Sequence, residues 1–122
     1  MGKENLFVLI DDDEMILESL EGILSTIVDD IVTYSNPIEA MSDLKDGKIT
    51  PVCVICDINM PEASGFDVLH SFRSHNKETP FYFFTGHGNF IEDEVKAVNG
   101  LLTGIFHKPS IAEVLTMVKN SK

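Results

Sequence analysis

The chain has 122 residues, 43% hydrophobic and 24% charged, with 20 acidic residues against 9 Lys and Arg for a net charge of −11. That length suits one compact domain over residues 1–122 and is too short for two. The acidic balance argues against direct nucleic-acid binding and against an anionic membrane surface as partner.

The polar segment Met1 to Asn5 precedes only five apolar residues, too few for a signal peptide, and no stretch approaches the roughly 20 apolar residues of a membrane span. A cytoplasmic location is therefore expected. Leu6–Ile10 predicts the first strand, ending in Asp11-Asp12-Asp13. Ile16, Leu20, Ile23, Leu24 and Ile27 lie at helical spacing and predict a helix over Glu14–Val28. A short strand follows at Ile31–Tyr34. Asn36-Pro37 then supplies a cap and a first-turn proline for a helix through Ala40, Met41 and Leu44, stopped by Asp46-Gly47.

Val52–Cys56 predicts the third strand, closed by Asp57. Cys53 and Cys56 spell C-x-x-C, but residues three apart on a strand face opposite ways, so the pair reads as buried packing. The segment from Met60 to Gly65 predicts a loop with Pro61 and Gly65 as breakers, before a helix marked by Phe66, Leu69 and Phe72 to about His75. Phe81–Thr85 predicts the fourth strand, followed by Gly86-His87-Gly88 and a weaker helix carrying Ile91, Val95 and Val98. The fifth strand is Gly104–His107, broken at Lys108-Pro109. Ser110 to Glu113 then reads as a capping box for a last helix with Ile111, Val114, Leu115 and Val118 on one face. His70, His75, His87 and His107 show no metal-ligand spacing and are expected on surfaces or loops.

Strands apolar on both faces, alternating with helices, predict a doubly wound α/β fold with a covered parallel sheet. Ligands of such folds bind at the carboxyl ends of the strands. Four of the five predicted strands end in chemically pointed residues: Asp11-Asp12-Asp13, Asp57, Thr85 and Lys108. A charge that ends a buried strand marks a site. Clustered acids there would bind a hard cation through oxygen, and Mg²⁺ fits because it takes few carboxylates and keeps waters. Asp57 is also placed to act as a carboxylate nucleophile toward a phosphoryl group. The Lys108 ammonium and Thr85 hydroxyl would then meet the phosphoryl oxygens, with Gly86 leaving room and a backbone N–H.

Val8 to Glu14, Asp57-Ile58-Asn59-Met60-Pro61 with Gly65 to Leu69, Phe84-Thr85-Gly86 and Lys108-Pro109-Ser110 together resemble the receiver domain of two-component response regulators. The resemblance covers essentially the whole chain, in the family's order. It implies a CheY-like, flavodoxin-like (βα)5 sheet in order 2-1-3-4-5 and Mg²⁺-dependent phosphorylation of Asp57. The donor would be a sensor histidine kinase or a histidine phosphotransfer protein. It further implies that Asp11, Asp12, Asp57 and the Asn59 backbone carbonyl hold the metal, with Asp12 the direct ligand of the acid pair. Thr85 and Gly86 stand at the switch hydroxyl position, Lys108 at the phosphate-binding lysine with a cis bond to Pro109, and Asn59 and His87 where the lifetime of the acyl phosphate is tuned. Asp13 and Glu14 fall at variable positions and read as caps.

Four positions depart from the family pattern, one of them Gly86, which stands where alanine is usual. Ile105 occupies the place of the usual aromatic switch residue, and neighbouring Phe106 is expected on the opposite sheet face. Leu101 and Leu102 stand where Gly-Ala is common, so that side of the fifth strand is unusually apolar. One reading is ordinary core filling. The other is a surface for an output domain or protein, or for a homodimer, formed by helix four, strand five and helix five. An unphosphorylated receiver-like interaction module is the alternative to the phosphoacceptor. A phosphatase-type enzyme with Asp57 as nucleophile is a third reading, weakened because Asn59 supplies no proton two residues on.

Overall fold

Three runs too apolar to face water, flanked by two shorter half-apolar ones and each followed by an amphipathic segment, leave little choice but a sheet covered on both sides. The computed structural model describes residues 6–86 and 92–121. In chain order the elements are β1 (Leu6–Ile10), α1 (Glu14–Leu24), β2 (Asp30–Tyr34), α2 (Pro37–Lys45), β3 (Cys53–Cys56), α3 (Gly65–Arg73), β4 (Phe81–Thr85), α4 (Glu92–Ala97), β5 (Gly104–His107) and α5 (Ile111–Ser121). All strand pairs are parallel and the order is β2-β1-β3-β4-β5.

Alternate residues of each central strand feed opposite cores. Val8, Ile10, Val54, Cys56, Phe81 and Phe83 pack with Ala40 and Leu44 of α2 and Val68, Leu69 and Phe72 of α3. Phe7, Leu9, Cys53, Ile55 and Phe84 pack with Leu17, Leu20 and Leu24 of α1 and Val114 and Val118 of α5. Cys53 and Cys56 thus lie in different cores, as strand geometry requires, and both are free thiols. Burial pushes the Cys53 thiol up to about 12 and the Cys56 thiol well above its ordinary value.

The helix ends differ from the periodicity in instructive ways. α1 stops at Leu24, four residues before Val28. The Ser25 hydroxyl donates to Gly22 O at 2.9 Å and the Thr26 hydroxyl to Ile23 O at 2.7 Å, so side chains take carbonyls near the helix end. Val28 is still buried. β3 begins at Cys53; Val52, 38% exposed at the strand's entry, still donates its N–H to Leu6 O at 2.8 Å. α2 has its expected boundaries: Asn36 Oδ1 accepts from Ile38 and Glu39 N–H, and Gly47 beyond the end takes φ +76°, where other residues are strained.

α3 starts at Gly65 itself. Ser64 Oγ accepts from Asp67 N–H at 3.2 Å and an Asp67 oxygen accepts from Ser64 N–H at 2.8 Å, a capping box that makes the glycine the first helical residue. α4 covers six residues, and Ile91 of the predicted helix lies outside the described residues. No helix among the described residues is long and apolar enough to cross a membrane.

Candidate functional site

The parallel sheet brings the ends of β1, β3, β4 and β5 to one edge. Asp11 follows β1 directly, its N–H donating to Tyr34 O at 3.0 Å, while Asp57 follows β3 with its N–H on Ile10 O at 2.9 Å. These strand-extending bonds carry both carboxylates past the sheet side by side. Carboxylate oxygens of Asp11, Asp12 and Asp57 lie within 4.8 Å of one another. Asp11 and Asp57 are only 3% and 7% exposed, whereas Asp12 faces solvent.

Backbone donors fix the two buried acids. Asp11 Oδ1 accepts from Asp13 N–H at 2.9 Å, and Asp57 Oδ1 accepts from Ile58 N–H at 2.8 Å. Their remaining oxygens face Lys108, whose Nζ is 2.8 Å from Asp11 Oδ2 and 3.4 Å from Asp57 Oδ2. The same ammonium lies 5.9 Å from the centroid of the buried Phe84 ring, a cation against an aromatic face.

Burial pushes the Asp11 and Asp57 carboxyls above the ordinary carboxylate range, against the opposing pull of Lys108. Burial by itself would lower Lys108, but Asp11 and Asp57 together outweigh it and raise the ammonium above its usual value. Three carboxylates and one ammonium leave the cluster with an excess of negative charge. The donors are all hard oxygens, one of the three acids faces solvent, and the group fits a divalent cation such as Mg²⁺.

Thr85 ends β4, fully buried, and pairs in register with His107 of β5. Its carbonyl accepts from Lys108 N–H at 2.9 Å, so the hydroxyl residue and the lysine sit on one hydrogen-bonded step. Gly86 is exposed at the rim, with open space where a side chain would stand. The Lys108–Pro109 bond is cis. Asn59 is exposed two residues beyond Asp57; His87 lies outside the described residues. Asp13 caps α1, its Oδ1 accepting from Met15 and Ile16 N–H.

Ile105 and Phe106 face opposite cores. Ile105 packs with Leu101 and Leu102 against the α2–α3 side, and Phe106 stacks on Tyr82 at 5.4 Å on the other. All four apolar residues around β5 are half-buried, so core filling takes much of their surface. Sequence reasoning had not found two contacts. One is the direct Lys108–Asp11 ion pair, which depends on side-chain reach across β3 and β4 and leaves no sequence signal. The other is the approach of Gly65 to Asp57: a Cβ there would meet Asp57 O, Ile58 Cα at 2.9 Å and Phe83 Cε1 at 3.0 Å. The Ser64-x-x-Asp67 pattern could have placed Gly65 inside the helix.

The model of the response regulator receiver domain family matches residues 7–119. Among curated relatives, the response regulator protein TmoT of Ectopseudomonas mendocina is 31% identical over 107 residues, 88% of this chain and 47% of TmoT. The cell cycle response regulator CtrA of Brucella ovis is 32% identical over 121 residues, 94% of this chain and 50% of that protein. The chain thus spans about half the length of the curated relatives it matches. A CheY-like receiver domain protein from Methanospirillum hungatei superposes with TM-score 0.84 at 19% identity, over 96% of this chain and 92% of that one. The receiver domain of the Francisella response regulator 1452 gives 0.80 at 20% identity, over 98% and 100%. With its sheet order, its strand-end acids and a family match over nearly its full length, this chain belongs to the response regulator receiver domains of two-component signalling.

Proposed function

We propose that Asp57 is a phosphoacceptor, modified in a Mg²⁺-dependent reaction by a sensor histidine kinase or a histidine phosphotransfer protein. One observation carries this reading. The Asp57 carboxylate closes a buried strand inside one cluster with Asp11 and Asp12, oriented by Ile58 N–H and within 3.4 Å of Lys108. In the transfer, a carboxylate oxygen of Asp57 attacks phosphorus. The P–O bond of an acyl phosphate forms as the P–N bond of the donor phosphohistidine breaks, and the bonding pair returns to the imidazole. Mg²⁺ held by Asp11, Asp12, Asp57 and the Asn59 carbonyl would neutralise charge on the phosphoryl oxygens.

The protein's own groups do the rest. Lys108 turns from the carboxylates to a phosphoryl oxygen, and the Thr85 hydroxyl with Gly86 N–H donates to another. Because Thr85 O accepts from Lys108 N–H, just beyond β5, movement of Thr85 would be felt at the end of that strand. The surface of α4, β5 and α5 then changes shape and engages an output domain, a downstream protein or a second copy of the chain. Ile105, register partner of Phe83 and half-buried against the core, accompanies this change without an aromatic swing. The domain is a signalling phosphoacceptor and not a turnover enzyme. At most it catalyses its own phosphorylation from small donors and its own dephosphorylation, the latter tuned by Asn59 and His87.

Incubation with acetyl phosphate and Mg²⁺ tests the reading by intact mass. The wild type gains one phosphoryl group and Asp57→Asn gains none. Equal gain by both would assign the phosphoryl group elsewhere.

A further inference from the structure

The contact between Gly65 and the end of β3 has a geometry that links it to the Asp57 carboxylate. Asp57 C=O and Ile58 N–H belong to one planar peptide unit, so neither moves without the other. The N–H of that unit holds Asp57 Oδ1 at 2.8 Å. Its oxygen accepts from the Cys56 thiol at 3.1 Å and lies against the position where a Cβ of residue 65 would stand. The next peptide is fixed too, since Gly65 N–H donates to Ile58 O at 2.8 Å. Gly65 does not take the positive φ found at Gly47; the glycine is required by close approach alone.

We infer that Gly65 is a positioning residue for phosphoryl transfer: packing of its bare Cα against the 57–58 peptide sets the plane whose N–H orients the Asp57 carboxylate. A methyl group at position 65 would meet backbone atoms of Asp57 and Ile58, which cannot swing aside as a side-chain tip can. Relief comes by tilting the peptide. The tilt draws Ile58 N–H away from Oδ1 and frees the carboxylate to rotate. The inference rests on the phosphoacceptor reading for its functional meaning, while the lever itself is a feature of the unmodified protein.

The test compares wild type, Gly65→Ala and Leu44→Ala, the last a buried α2 residue whose truncation loosens the same core without adding an atom beside the 57–58 peptide. At saturating Mg²⁺ and acetyl phosphate, and at a temperature where all three are folded, Gly65→Ala should be phosphorylated about 10- to 100-fold more slowly. Leu44→Ala should stay within about twofold of wild type, because a truncation opens space and presses on no backbone atom. Equal slowing in both variants overturns the inference, since general loosening would then explain it. Adding Phe83→Leu to Gly65→Ala removes the ring contact but not the backbone one, so recovery of the rate would also overturn it.

If Gly65→Ala does not fold, replacing the Ile58 amide by an ester removes the donor to Oδ1 and leaves the glycine in place. A roughly tenfold loss is expected, in line with the loss of one charge-assisted hydrogen bond. An unchanged rate overturns the inference. Mg²⁺ affinity, read from amide chemical shifts, separates the two claims. A wild type that takes no phosphoryl group defeats the phosphoacceptor reading, whereas a Gly65→Ala protein with wild-type affinity and an unshifted Ile58 amide defeats the lever.

Discussion

Asp11 and Asp57 show how a site and a core compete for the same residues. Each is a carboxylate held in a nearly dry position, and burial raises both above their ordinary range despite Lys108. A folded-state pKa above the unfolded one gives a contribution that is fully present below the unfolded value and lost as pH rises through the folded value. At neutral pH ionisation of these acids therefore removes stability that their protonated forms contribute, a loss partly offset by the Lys108 ion pairs. In EDTA, Asp57→Asn should be more stable than wild type by roughly 0.5–2 kcal/mol at pH 7, as relieved functional sites commonly are. The gap should shrink as pH falls through the raised carboxylate range, where the wild-type acid is protonated. Thermal melts across pH check this, and a wild type more stable than the variant at pH 7 would contradict it. The strand-end positions of Asp11, Asp57, Thr85 and Lys108 were legible because each closes or directly follows a predicted strand. What Gly65 does was not, because close approach depends on the path of the loop between residues 57 and 64.

Strands and helices were legible to different depths. β1, β4 and β5 have the predicted bounds; for β1 and β4 this is because a strand buried on both faces keeps its run apolar to the end, whereas half-buried β5 is delimited by Gly104 and by Lys108-Pro109. Helix ends were less readable, because they turn on local side-chain bonds such as those of Ser25 and Thr26. The start of α3 is the case with functional weight. Ser64 and Asp67 satisfy each other's backbone donors there, and the helix they begin carries Gly65 against Asp57. Ser64→Ala should cost about 1 kcal/mol. Urea titration would show this as a lower midpoint at unchanged slope. It should also slow phosphorylation less than Gly65→Ala, since it frays the cap without pressing on the peptide. A Ser64→Ala protein as stable as wild type would remove the capping box from the account of this loop.

The assembled domain carries its charge unevenly. Between Lys3 and Lys45 there are 11 acidic residues and no Lys or Arg, so the segment that builds β1, α1, β2 and most of α2 repels itself. Raising the salt concentration should therefore raise the melting temperature of the metal-free protein. A flat or falling salt dependence would mean that this repulsion is already relieved in the fold. Mg²⁺ should act more specifically, stabilising by about 1.4 kcal/mol at ten times its Kd through mass action. Asp12→Asn should lose most of that gain while folding as before, since Asp12 faces solvent. The parallel sheet, the two cores and the strand-end cluster follow from residue order. The half-buried state of Leu101, Leu102 and Ile105 does not, because it is decided by how far the core on the α2–α3 side extends over the edge strand β5. The most direct test of the central assignment is chemical. After treatment with acetyl phosphate and Mg²⁺, borohydride reduction converts an aspartyl phosphate to homoserine, which peptide mapping locates. Homoserine at position 57 and at no other acid is the expected result; homoserine at another position, or a phosphoryl group that resists reduction, would contradict it.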